Sequence, residues 1–333
     1  MAKAQTGRRC LVPGAVCLVG IWLAACGLTQ TRDPNVLMSQ AETHKAEGNW
    51  SACISDYTGV LSSQPALVKA YAGRAACSLA AGNAPGAVQD YTKAINLSDR
   101  DPSLYLNRAG AFEHLGNNTQ AAADYTKAGE LGTTNPNWTV QAAEGLRGMG
   151  FYSDAHAVVQ RGIAQFPNYW AIFMEAADVE LALGNDQAAL RYFESALKLA
   201  TSGDSSQVLT DRGKYFLRRL QYQLALSDFN QAVDRDPQNW SAYDGRSQAR
   251  LGVGQTSGAL TDLGSAIAIY QGLHSSNTWP LASLFEERGK LELRLSRKDA
   301  AISDFKAALD ILTAAGPADW RGRLGQEISA AQG

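Results

Sequence analysis

The chain has little of what enzymes work with. Only four histidines occur in 333 residues, His44, His114, His156 and His274, and no HExxH, phosphate-binding G-x-x-x-x-G-K-[ST], G-x-S-x-G or C-x-x-C motif is present. Each of those motifs holds the ligands of a metal, a phosphate or a nucleophile at a fixed spacing, so their joint absence leaves catalysis no ready-made centre. The best lone acid–base pair, Glu113 beside His114, reads as a solvated helix end. Neither an enzyme nor a cofactor binder is expected. Charge is never gathered into blocks: 30 basic and 32 acidic residues give a formal −2 with no long run of either sign. That lacks the electrostatic footprint of a nucleic-acid binder.

The one long apolar run is too short to span a bilayer comfortably and is broken by Pro13: "LVPGAVCLVGIWLAA" at 11–25, behind Lys3, Arg8 and Arg9 with no acid. That order of features is an export signal. Its end, "LAAC" at 23–26, resembles the lipobox of bacterial lipoproteins, where cleavage precedes a cysteine whose thiol is acylated. The resemblance implies a signal peptide over 1–25, a lipidated Cys26, and a short tether over 26–33. Arg8-Arg9 follows Gly7, a poor match to the twin-arginine route, so general secretion is expected. Gly27 lacks the Asp that resembles an inner-membrane retention signal, which points to the periplasmic face of the outer membrane. Without residues 1–25 the chain keeps 27 basic and 32 acidic residues. Eight residues, "GLTQTRDP", separate Cys26 from the first helical pattern, a reach of at most about 28 Å. Of five cysteines, Cys53 and Cys77 then remain. An oxidising compartment permits a disulfide, but both occupy apolar points of helical patterns, which favours buried free thiols.

A period governs the rest. "DYTKA" stands at 90–94 and again at 124–128, with "DYTGV" at 56–60. In the same register Gly48, Gly82, Gly116, Gly150 and Gly184 fall 34 apart, each after a helical apolar stripe, as a glycine that ends one helix and opens a turn should. Two extra residues in "TSGDSS" (201–206) put Leu220 at the next turn, Gly254 follows, and an insertion around "YQGLHSSNTWP" (270–280) brings the last turn to Ser296. After each turn comes a small, bulky, small series such as Ala87, Tyr91 and Ala94, or Ala225, Phe229 and Ala232. Spacings of four and three place these on one helix face. Before each turn a partner helix carries an anchor and a small residue, as in Tyr71 and Ala75 or Tyr243 and Ser247; Thr139 is the weakest anchor.

This 34-residue pattern of aromatic, small, turn glycine, small, aromatic and small resembles the tetratricopeptide repeat. The resemblance implies an all-α, right-handed helical-repeat solenoid over 34–312, with repeats near 34–67, 68–101, 102–135, 136–169, 170–205, 206–239, 240–281 and 282–312. Residues 313–333 then supply a polar cap, which an open stack needs for solubility.

Two side-chain sets stand out within the pattern. Arg74, Arg108, Arg212, Arg246 and Arg288 precede the small residue of the first helix, and Asp90, Asp124, Asp228, Asp262 and Asp304 precede the bulky residue of the second. Where the Arg is missing, at Ala142 and Ala176, the Asp is missing too, at Val158 and Tyr192. These pairs read as ion pairs between paired helices rather than as a ladder of ligand-binding arginines. The second set lies on the concave face that the resemblance assigns to the first helices. Leu181, Leu217, Leu251 and Leu293, flanked by Lys214, Arg218, Gln248, Lys290 and Arg294, read as an apolar seam with cations beside it, suited to a peptide with some acidic residues. The competing reading is that these leucines simply pack against the next repeat. A family clamp for a terminal carboxylate is incomplete, with Lys69 and Asn107 but no full set. The expectation is a lipid-anchored periplasmic scaffold that binds a protein or peptide partner in an envelope assembly, with no metal, cofactor, nucleic acid or small-molecule substrate. A glycan-binding or polysaccharide-export component and a passive spacer are the alternatives; no aromatic lines the concave positions.

Overall fold

The computed structural model describes residues 33–273, 278–312 and 317–332; the expected signal segment, the lipidated Cys26 and most of the tether lie outside these described residues. The described residues form 17 α-helices and no strand. In chain order they are α1 (Pro34–Ala46), α2 (Trp50–Ser63), α3 (Val68–Ala80), α4 (Ala84–Leu97), α5 (Pro102–His114), α6 (Asn118–Leu131), α7 (Pro136–Gly148), α8 (Tyr152–Gln165) and α9 (Trp170–Ala182). They continue as α10 (Asp186–Leu199), α11 (Ser202–Arg218), α12 (Tyr222–Arg235), α13 (Trp240–Gly252), α14 (Thr256–Leu273), α15 (Trp279–Arg294), α16 (Lys298–Ile311) and α17 (Ala318–Gln332).

Each odd-numbered helix up to α15 packs against the even-numbered helix that follows it, and each pair packs on the next. Six turn glycines, Gly48 to Gly254, have φ between 71° and 84°, and Leu220 (57°) and Ser296 (62°) hold the same left-handed backbone at the two remaining turns. The two extra residues before unit six are absorbed by α11, which is 17 residues long where the other early odd-numbered helices have 13. The larger insertion lengthens α14 to 18 and α15 to 16 residues.

The packing follows the small–bulky–small series. Tyr57, Phe193, Phe229 and Phe305 are fully buried, and the alanines beside them, such as Ala189, Ala196, Ala225 and Ala232, are wholly enclosed. The reason small residues are needed is visible at Gly245, where an added Cβ would stand 2.2 Å from the Phe229 ring. Two helix axes can approach that closely only if the facing side chain is missing. Thr139, the weak anchor of unit four, is nevertheless buried.

Successive odd-numbered helices run beside one another through much of the stack, α1 with α3, α3 with α5, α5 with α7, α7 with α9, and α11 with α13. Among the even-numbered helices of the described residues, α6 and α8 alone approach as closely. Crowding on one side and spreading on the other makes the odd-numbered helices the inner face of a curved stack. At the far end α17 lies on α16, with Leu324 fully buried and Asp319, Arg323, Gln326 and Ser329 turned to solvent.

One expectation is corrected. Cys53 and Cys77 are not free thiols but a disulfide, with Cα atoms 6.3 Å apart, joining α2 to α3 across the boundary between the first two units. Both are buried, as apolar positions should be. A single-helix pattern cannot show that the buried face of α2 in one unit meets the buried face of α3 in the next.

Candidate binding face on the inner helices

The arginines and aspartates of the repeat meet in five two-pronged pairs. Arg108 donates from Nε to Asp124 Oδ2 at 2.7 Å and from Nη2 to Oδ1 at 2.8 Å. Arg74–Asp90, Arg212–Asp228, Arg246–Asp262 and Arg288–Asp304 repeat that geometry at 2.7–3.0 Å. The third guanidinium nitrogen reaches backward: Arg74 Nη1 donates to Thr58 Oγ1 at 3.2 Å and Arg108 Nη1 to Thr92 Oγ1 at 3.1 Å. The recurrence of "DYTKA" therefore has two polar reasons beside the buried tyrosine. Asp90 binds the arginine of its own unit, while Thr92 binds that of the next. All five guanidiniums are held to a carboxylate between helices through two nitrogens, the geometry of structural ion pairs rather than of a ligand ladder.

Where this pair is missing, other polar contacts stand in. Arg147 on α7 donates from Nε to Glu175 Oε1 on α9 at 2.7 Å, bridging units four and five. In unit one His44 Nδ1 lies 2.8 Å from Asp56. Neither pair sits at the repeating arginine position, so the internal correlation of Arg with Asp could not disclose them.

The leucine seam behaves as buttressing. Leu181, Leu217, Leu251 and Leu293 are each half-buried and packed on core clusters that span neighbouring units. Of the four cations beside them, the two lysines are answered. Lys214 Nζ is 3.4 Å from Asp211, and Lys290 pairs with Glu286 and stands 3.5 Å from Glu327. Gln248 donates to Asp244 at 3.2 Å. Arg218 and Arg294 are exposed.

What runs the length of the face instead is acid. Glu113, Glu144, Asp178, Asp211, Asp244 and Glu287 place one carboxyl on each successive inner helix from α5 to α15. They are close enough to act on one another. Asp178 is pushed up from the usual carboxylate range mainly by burial, with Arg147 opposing and the charges of Asp211 and Glu144 adding. Glu287 is raised to about 7 by burial first, then by the charge of Asp244 and the hydrogen bond between the two carboxyls. Asp244 is raised as well, again mainly by burial. Like charges aligned in a partly desolvated groove disfavour their own ionisation. Between α5 and α7 the row lines a cleft of about 430 Å³, with Glu113, Gln141, Glu144, Gly148, Met149 and the Tyr125 ring on its walls. Tyr125 donates its hydroxyl to Glu113, and burial together with that acceptor holds the phenol protonated well beyond its usual range. The near-regular spacing of these acids on first helices was the signal in the sequence; seam residues chosen by apolarity concealed it.

Among the described residues no cluster of three or more His, Cys, Asp or Glu could hold a metal ion. No described helix is long and apolar enough to cross a membrane.

A curved stack of helix-turn-helix units with an inner face of this kind defines a helical-repeat scaffold. The tetratricopeptide repeat model matches residues 79–136, 140–204 and 210–277, more than half of the chain. The chain belongs to the tetratricopeptide repeat family, whose architecture supports a protein–protein interaction scaffold. It is 36% identical over 97 residues to DnaJ homolog subfamily C member 3 of Mus musculus, covering 29% of this chain and 18% of that protein. It is 42% identical over 85 residues to tetratricopeptide repeat protein 36 of Danio rerio, covering 25% of this chain and 43% of that one. The chain thus spans less than half the length of either relative. A crystal structure of a tetratricopeptide repeat protein from Parabacteroides merdae superposes with a TM-score of 0.51 at 16% identity, covering 91% of this chain and 100% of that one, and shows a shared fold.

Proposed function

We propose that this chain is a lipid-anchored scaffold of the bacterial periplasm, which holds a basic, extended segment of another polypeptide along its inner helices within a cell-envelope assembly. The observation that carries the reading is the row of carboxyls from Glu113 to Glu287. Glu113 and Glu144 line the cleft between α5 and α7, where Glu113 accepts from Tyr125 and Glu144 feels the charge of Arg147, and farther along the row burial first, with neighbouring carboxyls adding, raises the proton affinity of Asp178 and Glu287. A lysine or arginine entering the groove relieves that repulsion, so the face selects for positive charge. An acidic segment, the partner suggested by Lys214, Arg218, Lys290 and Arg294, would meet two lysines already paired and a row of like charge, with Arg218 and Arg294 left exposed beside it. The address is supported by the signal-like first 25 residues and by the Cys53–Cys77 disulfide, a bond that persists in oxidising compartments. A pilus or secretion machine, the outer-membrane assembly apparatus and a cell-wall enzyme complex are the assemblies in which such a scaffold serves.

The test is cross-linking in intact cells followed by affinity purification and mass spectrometry, comparing the native chain with Cys26→Ser and with Glu113→Lys/Glu144→Lys. The expected result is one or two polypeptides captured by the anchored native chain and lost on charge reversal. Capture of glycan, or of nothing specific, would overturn the scaffold reading; capture indifferent to the reversal would move the partner to another surface.

A further inference from the structure

The exposed large apolar side chains fall on the two edges of the stack. Leu115, Tyr152, Leu183, Leu220 and Leu224 lie on the edge where each odd-numbered helix turns into its even-numbered partner. Val36, Leu97, Leu273 and Trp279 lie on the opposite edge, where odd-numbered helices begin and even-numbered ones end. The second edge also carries Asp33, where the 32 residues preceding the described chain arrive.

On that edge one hairpin stands out. α14 begins at the usual position but runs four residues past the 14 of α12 and α16, and α15 begins early. Four helical residues add about 6 Å of projection. At the ends of these two helices Leu273 is 55% and Trp279 57% exposed. No Asp, Glu, Lys or Arg occurs between Asp262 and Glu286. The base of the hairpin is stiff, since Tyr270 packs edge-on against Trp240 with ring centroids 4.9 Å apart and its hydroxyl bonds to Thr278.

We propose that Leu273 and Trp279 form a second membrane contact, seated in the headgroup region of the bilayer that holds the N-terminus. The inference rests on the anchor reading above. Helix ends bearing an exposed leucine and an exposed indole have the chemistry of interfacial side chains, the ring accommodating both the apolar boundary and water. Two side chains alone bind a bilayer weakly. A chain already tethered at the same edge presents them at high effective concentration, which makes a weak contact sufficient. Contact at both ends of the stack would lay the loop edge along the membrane and leave the inner face open to the periplasm.

The test places a fluorescent amino acid at position 279, or at 220 as control, in the full chain isolated from producing cells and reconstituted with vesicles of phosphatidylethanolamine, phosphatidylglycerol and nitroxide-labelled lipid. Intact mass reports the state of Cys26 in the same sample. The expected result is blue-shifted emission and several-fold stronger quenching at 279 than at 220. With lipid on Cys26 and the chain on vesicles, equal quenching at the two positions would overturn the tip and leave the anchor standing. An unmodified Cys26 would sink the anchor, and the tip would survive only if 279 is still quenched on vesicles. Shielding of 279 by a co-purified polypeptide without quenching by lipid would assign the tip to a protein and overturn the proposal.

Discussion

Arg108 and Asp124 face each other as a fork across the third helix pair, Nε to Oδ2 at 2.7 Å and Nη2 to Oδ1 at 2.8 Å, with the guanidinium carbon 5.7 Å from the Tyr105 ring centroid and 5.8 Å from that of Phe112. The side chains are only 17% and 8% exposed. Removing the acid alone strands a cation between three helices, because Thr92 cannot replace a carboxylate. Asp124→Ala is expected to destabilise the stack by about 3 kcal/mol, whereas Arg108→Met with Asp124→Leu should cost much less. Urea denaturation of both variants checks this, and a loss under about 0.5 kcal/mol for the single change would mean that solvent screens the pair.

The disulfide acts on the unfolded chain. Cys53 and Cys77 are 24 residues apart in sequence, and closing a loop of that size is worth about 3 kcal/mol of chain entropy. It joins the first unit, which among the described residues has a neighbouring unit on one side, to the second. In a stack stabilised by nearest-neighbour contacts that is where fraying starts. Cys77→Ser, or reductant, should lower the first melting transition and speed amide exchange in α1–α3 while α9–α16 stay protected. Uniform exchange throughout would show that the first unit is held by packing alone.

The helices, their pairing and the turns were legible because each unit solves the same packing problem and so repeats its solution. Even Leu220 and Ser296, which carry no turn signal of their own, were located by counting from neighbouring glycines, and both have left-handed backbone. Arg and Asp could be matched because they vanish together in units four and five. The rest depended on relations between units that one period does not encode: Arg147 with Glu175, Cys53 with Cys77, and the carboxyls that align only when inner helices stand side by side. Lys214, Arg218, Lys290 and Arg294 suggested a positive margin; the structure pairs the two lysines with Asp211 and Glu286, three and four residues earlier on the same helices, and leaves the two arginines exposed.

Asp244 and Glu287 make stability depend on pH. Glu287 is raised from 4.5 to about 7 in the folded chain, so between those values the folded state holds a proton that the unfolded state has released. Stability is therefore full below about pH 4.5 on this account and falls as pH rises through about 7. Lys214, on α11, opposes the shift at Asp244, and Lys290, on α15, that at Glu287, while Glu286 reinforces the shift at Glu287. Glu287→Gln keeps a hydrogen-bonding group but removes the second charge. It should raise stability at pH 8 by on the order of 1 kcal/mol and leave pH 4.5 nearly unchanged. Parallel melting curves across pH 4.5–8 decide the matter, and a variant profile of unchanged slope would show that the two carboxyls are independently solvated.

Leu220 sits where six other units have glycine, at φ 57° and with 68% of its surface exposed. A side chain in left-handed backbone costs about 1 kcal/mol, since Cβ crowds the following carbonyl oxygen. Glycine removes that strain and loses part of the gain through its freer unfolded chain. The exposed leucine has little burial to lose. Leu220→Gly is thus expected to stabilise by about 0.5 kcal/mol, and Ser296→Gly, at φ 62°, to do the same. Matched thermal melts of the two variants separate strain from packing. A rise for Ser296→Gly with a fall for Leu220→Gly would mean that Leu220 earns its place through contacts with Leu183 or Leu224; a fall in both would mean that the left-handed turn is accommodated without strain.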